Sequence, residues 1–134
     1  MDASEHSYKA LNAALKLSKS IGSEVTALHV MEYVPKAHIQ SQKLLDELLE
    51  GLTNNGKKVL DKCLLHSKEA GAPIKTQLQK GDPASIILDV SSAGKYDLII
   101  MGSRGLGAFK RLLLGSVSSK VVHHASCSIL VVRE

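Results

Sequence analysis

The sequence predicts an α/β fold in which a parallel sheet is wrapped by helices on both faces. Three observations carry this. Helical and strand-like segments alternate along the whole chain of 134 residues, the pattern of parallel strands joined by helices. Two short runs, Asp97–Met101 and Ser128–Val132, are almost continuously apolar, as strands covered on both faces are. A glycine cluster follows the first of these runs, at what would be the carboxyl end of the sheet, where ligands sit in this class of fold.

The elements follow in order. Ser4 to Ile21 reads as a helix, with Tyr8, Leu11, Ala14, Leu15 and Ile21 near helical spacing. Ser4 suits its N-cap and Gly22 its stop. Glu24 to Met31 reads as a strand, rich in β-branched and apolar residues. Tyr33 to Gln42 is a connection marked by Pro35. Leu44 to about Glu69 reads as a long helix that Asn54-Asn55-Gly56 could interrupt or kink, and Gly71-Ala72-Pro73 ends it. Ile74 to Gln79 alternates as a short strand expected near a sheet edge. Gly81-Asp82-Pro83 is a sharp helix start, with Asp82 as N-cap and Pro83 at the first helical position. That helix runs to about Ala93 and turns Ile86, Ile87 and Val90 inward. Strand Asp97–Met101 comes next, then a last helix from Gly115 or Ser116 to about His124, then strand Ser128–Val132.

A chain of this length makes one domain, residues 1–134, with a core large enough to need no staples. Aromatic residues are only 3%, with no Trp and a single Phe, Phe109, so the core must be aliphatic. The net charge of +4 is spread rather than clustered, and stacking residues are scarce, which argues against a nucleic-acid partner. Cys63 and Cys127 lie far apart without metal-ligand spacing and read as small buried residues in a reducing compartment. Polar Asp2-Ala3-Ser4-Glu5 after Met1 does not resemble a signal peptide. No apolar run approaches the roughly 20 residues of a membrane span. A cytoplasmic location is the expectation.

The glycine cluster carries the functional argument. Gly102, Gly105 and Gly107 follow the strand, with Arg104 among them. Glycine allows positive φ and close approach of a ligand to the backbone, and successive N–H groups in such a loop form an anion-binding nest. Gly115 and Ser116 then open a helix, whose N-terminus offers free N–H groups, a positive dipole end and the Ser116 hydroxyl to a phosphate. The pattern is neither a Walker A loop nor GxGxxG, because Ala108-Phe109-Lys110 follows Gly105-Leu106-Gly107. Read from these residues alone, phosphate binding and a plain strand-to-helix loop both stand.

Gly102-x2-Gly105-x9-Gly115-Ser116, preceded by Asp97-Leu98-Ile99-Ile100-Met101, resembles the nucleotide-binding signature of the universal stress protein family. Ala27-Leu28-His29-Val30, Gly81-Asp82-Pro83-Ala84, Leu114-Gly115-Ser116-Val117-Ser118 and Ser128-Ile129-Leu130-Val131-Val132 add to the likeness, which covers nearly the whole chain. The resemblance implies a doubly wound parallel sandwich, adenine nucleotide alpha-hydrolase-like, and ATP, with or without Mg²⁺, as ligand. It implies that Gly102, Ser103, Arg104, Gly105, Gly115, Ser116 and Val117 surround the phosphates and ribose. Val30 would meet the adenine through its backbone, and Gly81 and Met101 would line the same pocket.

One departure stands out. Family members usually begin with a central apolar strand that ends in an Asp-Gly-Ser-like turn. Here Asp2-Ala3-Ser4 matches the turn, and the strand before it is missing. By resemblance Asp2 is a candidate nucleotide ligand at a terminus prone to fraying. Three outcomes are open: the flanking strands close into a four-stranded sheet, a partner supplies a strand, or the recorded start is truncated. Closing up is the expectation, with strands Glu24–Met31 and Asp97–Met101 pairing directly.

The remaining candidates carry little. His123-His124 are adjacent on a helix and face apart, His29 reads as a packed strand residue, and Ser103 and Ser118 lack a neighbouring base. The expected function is a nucleotide-binding regulatory domain of the stress response, without dedicated catalysis. A slow ATPase and a structural dimerisation module without nucleotide are the rivals. The apolar edge strand Ser128–Val132 is expected to pair with its twin in a homodimer, as the resemblance also implies.

Overall fold

A computed structural model describes residues 1–32, 35–105 and 113–133. Gly107, Phe109 and Tyr33, named above, lie outside the described residues. The observed order is α1 (Glu5–Ile21), β1 (Thr26–Met31), a single 3-10 turn (Lys36–His38), α2 (Gln42–Glu69), β2 (Lys75–Lys80), α3 (Pro83–Ala93), β3 (Leu98–Gly102), α4 (Ser116–His124) and β4 (Ser128–Val132).

Local chemistry sets the helix ends where the sequence placed them. The Ser4 hydroxyl accepts from the Ser7 N–H at 3.1 Å and caps α1. Gly22 ends α1 at φ 70°, the left-handed geometry of a C-terminal stop. Asp82 caps α3 by accepting from the Ser85 N–H at 3.0 Å, with Pro83 in the first turn. The long helix α2 runs unbroken through Asn54-Asn55-Gly56, which corrects the expected interruption. Gly56 is there for clearance: a Cβ would lie 2.7 Å from Leu78 Cδ1 and 3.0 Å from His29 Cδ2. The helix therefore sits down on β1 and β2, and packing outweighs the roughly 1 kcal/mol helix penalty of glycine.

The strands pair in parallel. Thr26 through Met31 align with Lys75 through Lys80, and Leu98 through Gly102 with Ser128 through Val132. Helices α1 and α2 cover one face, joined by the Lys19 Nζ to Ala70 O bond at 2.8 Å and by His66 and Asn12. On the other face α3 packs against α4, and Lys120 reaches Asp82 at 3.3 Å. The core between α1, α2 and β1 is aliphatic as expected: Leu11, Leu15, Ala27, Leu60, Cys63 and Ala72. Burying a leucine such as Leu15 is worth about 1.5–3 kcal/mol.

The expectation that β1 and β3 pair directly is overturned. The described strands form two two-stranded sheets, β1–β2 and β3–β4. No strand lies between them among the described residues. The physical reason is the width of the helix layers. A helix is about 10 Å across, while paired strands are only about 4.8 Å apart. With α1 packed on β3 and α2 on β1, closing the strands would drive these two helices into each other. Every residue of β3 is consequently only half-buried, although the run Leu98-Ile99-Ile100-Met101 has the composition of a fully covered strand. At their amino ends the two halves are tied by the Tyr96 hydroxyl, which donates to Thr26 Oγ1 at 2.9 Å.

Candidate functional site

A cavity of about 580 Å³ opens between the two half-sheets, a size typical of small-molecule pockets. Its mouth lies at the carboxyl ends of β1 and β3. Nine of the residues singled out from sequence line it together: Asp2, Val30, Met101, Gly102, Arg104, Gly105, Gly115, Ser116 and Val117. Gly81 and Ser103 do not line it. Gly81 turns the chain from β2 into α3 at φ 149°, with its amide donating to Met31 O at 2.9 Å. Ser103 is 2% exposed, and its carbonyl serves the loop instead.

The loop is stapled at its base. Gly115 N–H donates to Ser103 O at 2.7 Å. The Ser118 hydroxyl donates to the same carbonyl at 2.7 Å and contacts Gly115 O at 3.2 Å. These bonds hold the start of α4 against the end of β3. The glycines here work by clearance, since none of Gly102, Gly105 and Gly115 has positive φ. A Cβ on Gly102 would meet the His6 backbone at 2.9 Å, and one on Gly105 would meet Asp2 Oδ2 at 2.6 Å.

The helix starts differ in one respect. Ser4, Ser41 and Asp82 cap α1, α2 and α3 with a side-chain acceptor, whereas Gly115 gives α4 none. The first amides of α4 thus face the cavity mouth, with the Ser116 hydroxyl and Arg104 beside them. Free amides and a positive dipole end are what an anion needs.

Asp2 is bound rather than frayed. Its Oδ1 accepts from the Ser4 N–H at 2.9 Å and from the Ser4 hydroxyl at 2.6 Å, which sets the carboxylate against Gly105. The Met1 amine donates to Leu28 O at 2.6 Å, and the His29 ring Nδ1–H donates to Met1 O at 2.6 Å. Burial pushes the amine's pKa down, and the nearby Asp2 charge opposes that. Among the described residues no three His, Cys, Asp or Glu side chains gather as a metal site. Sequence reasoning missed Tyr96 and Met1 as lining residues. Neither carries a motif, and only the packing of β3 beside β1 brings them in. Ile87 and Val90 of α3, read as inward-facing, prove to line the cavity.

Comparison with known proteins agrees with this architecture. The family model described as the universal stress protein family matches residues 1–133. The chain is 32% identical over 133 residues to Universal stress protein MJ0531 of Methanocaldococcus jannaschii, covering 99% of this chain and 78% of that one. It is 33% identical over 146 residues to Universal stress protein YxiE of Bacillus subtilis, covering 99% and 95%. Among solved structures, Universal stress protein UspA from Lactobacillus plantarum superposes with TM-score 0.87 at 28% identity, covering 99% and 93%. Two further structures share the fold. One is a universal stress protein in complex with cAMP (TM-score 0.70, 22% identity, covering 98% and 92%). The other is an Arabidopsis thaliana family protein with AMP bound (TM-score 0.66, 21% identity, covering 95% and 77%).

Proposed function

Since the chain belongs to the universal stress protein family, we propose that it binds an adenine nucleotide, ATP first, at the mouth of the cavity and acts as a regulatory domain of the stress response. The observation that carries this reading is the uncapped start of α4 facing the mouth beside Arg104. The phosphates sit on the amides of Ser116 and Val117, with Gly102, Gly105 and Gly115 letting them approach the backbone. Val30 and Met101, one residue before the ends of β1 and β3, border the base in this reading. Mg²⁺ would arrive with the nucleotide and be held mainly by its phosphates. The AMP- and cAMP-bound relatives support an adenine nucleotide over other anions. A slow ATPase, the rival reading, would need Asp2 as its base or Mg²⁺ ligand; the Oδ1 of that carboxylate accepts from the Ser4 N–H and hydroxyl.

Nucleotide binding changes the surface at the cavity mouth, and a partner or second subunit reads that change. The second subunit pairs along β4. That strand has β3 as its one described neighbour, and Leu130 on it is 42% exposed. An apolar open edge favours antiparallel pairing with its twin. A monomer by light scattering at micromolar concentration removes the dimer from the reading.

Isothermal titration with Mg-ATP tests the site. We expect saturable heat from the native chain. Gly115→Val should abolish it, since a Cβ there already meets Arg104 Cα at 3.4 Å and valine adds two methyl groups. Absence of heat in the native chain refutes nucleotide binding and leaves the dimerisation module.

A further inference from the structure

Among the described residues three charged side chains line the cavity: Asp2, Glu32 and Arg104. Arg104 belongs to the phosphate end of the nucleotide reading, and Asp2 is engaged through Oδ1 by Ser4. Glu32 has no role in that reading, and no described residue donates to its carboxylate. The strand period explains how it comes to line the cavity. Ala27 packs in the core with α1 and α2, and His29 lies against Gly56 of α2. The alternate residues Leu28 and Val30 therefore turn to the other face of β1. Glu32, one residue past the end of β1, continues their series. At this end of the cavity Val30 and Glu32 line it, and Met31 between them does not. Glu32 is exposed and stands two strand steps, roughly 6.6 Å, beyond Val30. The mouth is thereby polarised. Arg104 and the uncapped start of α4 make the side after β3 positive, and Glu32 makes the side after β1 negative.

We propose that Glu32 sets the base specificity of this site: its carboxylate accepts from the exocyclic amine of the base, so a 6-amino purine is taken and a 6-oxo purine refused. The assignment rests on the nucleotide reading above, which brings the base beside Val30. The chemistry follows from the donor inventory. Adenine presents a 6-amino donor where a 6-oxo purine presents an acceptor. An ionised carboxylate can only accept, so against a 6-oxygen it would set lone pair against lone pair. A site that hydrogen-bonds one substituent rejects the analogue lacking it. Exposure of Glu32 lets water compete, and the discrimination is about tenfold rather than the roughly 10⁴-fold of a buried polar site. The same charge repels phosphates. It therefore keeps them on the Arg104 side and fixes which end of the nucleotide lies against β1.

The test is isothermal titration of the whole chain with Mg-ATP and with Mg-ITP, which share ribose and phosphates and differ only in the base. Native protein, Glu32→Gln and Glu32→Ala are compared. The ratio of the two affinities reads the contact, because loss of the charge relieves phosphate repulsion in both nucleotides alike. Native protein should bind ATP about tenfold more tightly than ITP. Glu32→Gln keeps the size of the side chain, and its amide donates as well as accepts. It should remove most of that preference, chiefly by tightening ITP. Glu32→Ala should lower the preference by weakening ATP relative to ITP. A ratio that neither variant moves overturns the assignment. Equal affinity of the native chain for ATP and ITP, with the N1–H of the 6-oxo base answering the carboxylate instead, overturns it too. A native chain that binds ATP with an unmoved ratio in the variants refutes the role of Glu32 alone. A native chain that binds neither nucleotide refutes the nucleotide reading, and the assignment falls with it.

Discussion

Replacing Gly102 by alanine tests the seat on which the whole site depends. Gly102 ends β3 where α1 crosses it, and an added Cβ would lie 2.7 Å from His6 Cβ and 2.9 Å from both the carbonyl carbon and oxygen of His6. Two of those atoms are helix backbone, which cannot swing aside as a side-chain tip can. Restoring ordinary contact requires α1 to move off β3 by about half an ångström. Overpacking of this kind costs about 1–3 kcal/mol. We expect a loss of about 2 kcal/mol, which for a chain of this size lowers Tm by about 7 °C. Because α1 carries Met1 and Asp2 at its head, nucleotide affinity should fall as well. Urea unfolding with linear extrapolation measures the change. Gly51→Ala is the control: it lies inside α2 with nothing within 4 Å of its Cβ, and it should gain about 0.5–1 kcal/mol from helix propensity. A Gly102→Ala loss below about 0.5 kcal/mol, at unchanged m-value, would refute the close seating of α1 on β3.

Three further outcomes follow from single groups. Ser4→Ala removes the α1 cap, the acceptor for Ser7 N–H, and should cost about 1 kcal/mol in thermal or urea melts; a change of a few tenths would contradict the cap. Cys63 is 0% exposed and burial pushes its thiol pKa up, so at mildly alkaline pH it should react with a thiol reagent roughly a hundredfold slower than half-exposed Cys127 until the chain unfolds. Equal rates for the two would sink that assignment. Hydrogen bonds from Ser85, aided by Lys120, hold the Asp82 carboxyl below its ordinary value. A depressed folded pKa gives stability that is present above the ordinary aspartate value of about 3.9 and is lost as pH falls through the lower folded value. Asp82→Asn keeps a capping oxygen that cannot titrate, so the acid limb of stability against pH should flatten; superimposable limbs for the two proteins would refute the role of that carboxylate.

The local architecture was legible because its signals are local. Ser4 and Gly22, Asp82-Pro83 and Gly115 each decide a helix end through groups within a few residues. The apolar runs of β3 and β4 announce strands wherever they pack. The family resemblance implied that the residues of the glycine segment surround one ligand, and all of those named except Ser103 line the cavity. Gly56 was misread as a breaker, since the atoms that require it belong to His29 and Leu78, distant in sequence. Gly81 and Ser103, expected around the nucleotide, do not line the cavity; their backbone groups serve the β2–α3 turn and the base of the loop.

By itself, then, the sequence determined the order of helices and strands, the caps that bound them, the aliphatic core and the family. Whether β1 and β3 would close on each other was left to tertiary structure. That outcome turns on the width of α1 and α2 against the spacing of strands, and on Met1 and Tyr96 reaching Leu28 and Thr26 across the gap. Such contacts join residues up to 70 positions apart, and no spacing along the chain encodes the distance between two layers. Helix packing sets that distance, and the cavity lies between the two half-sheets.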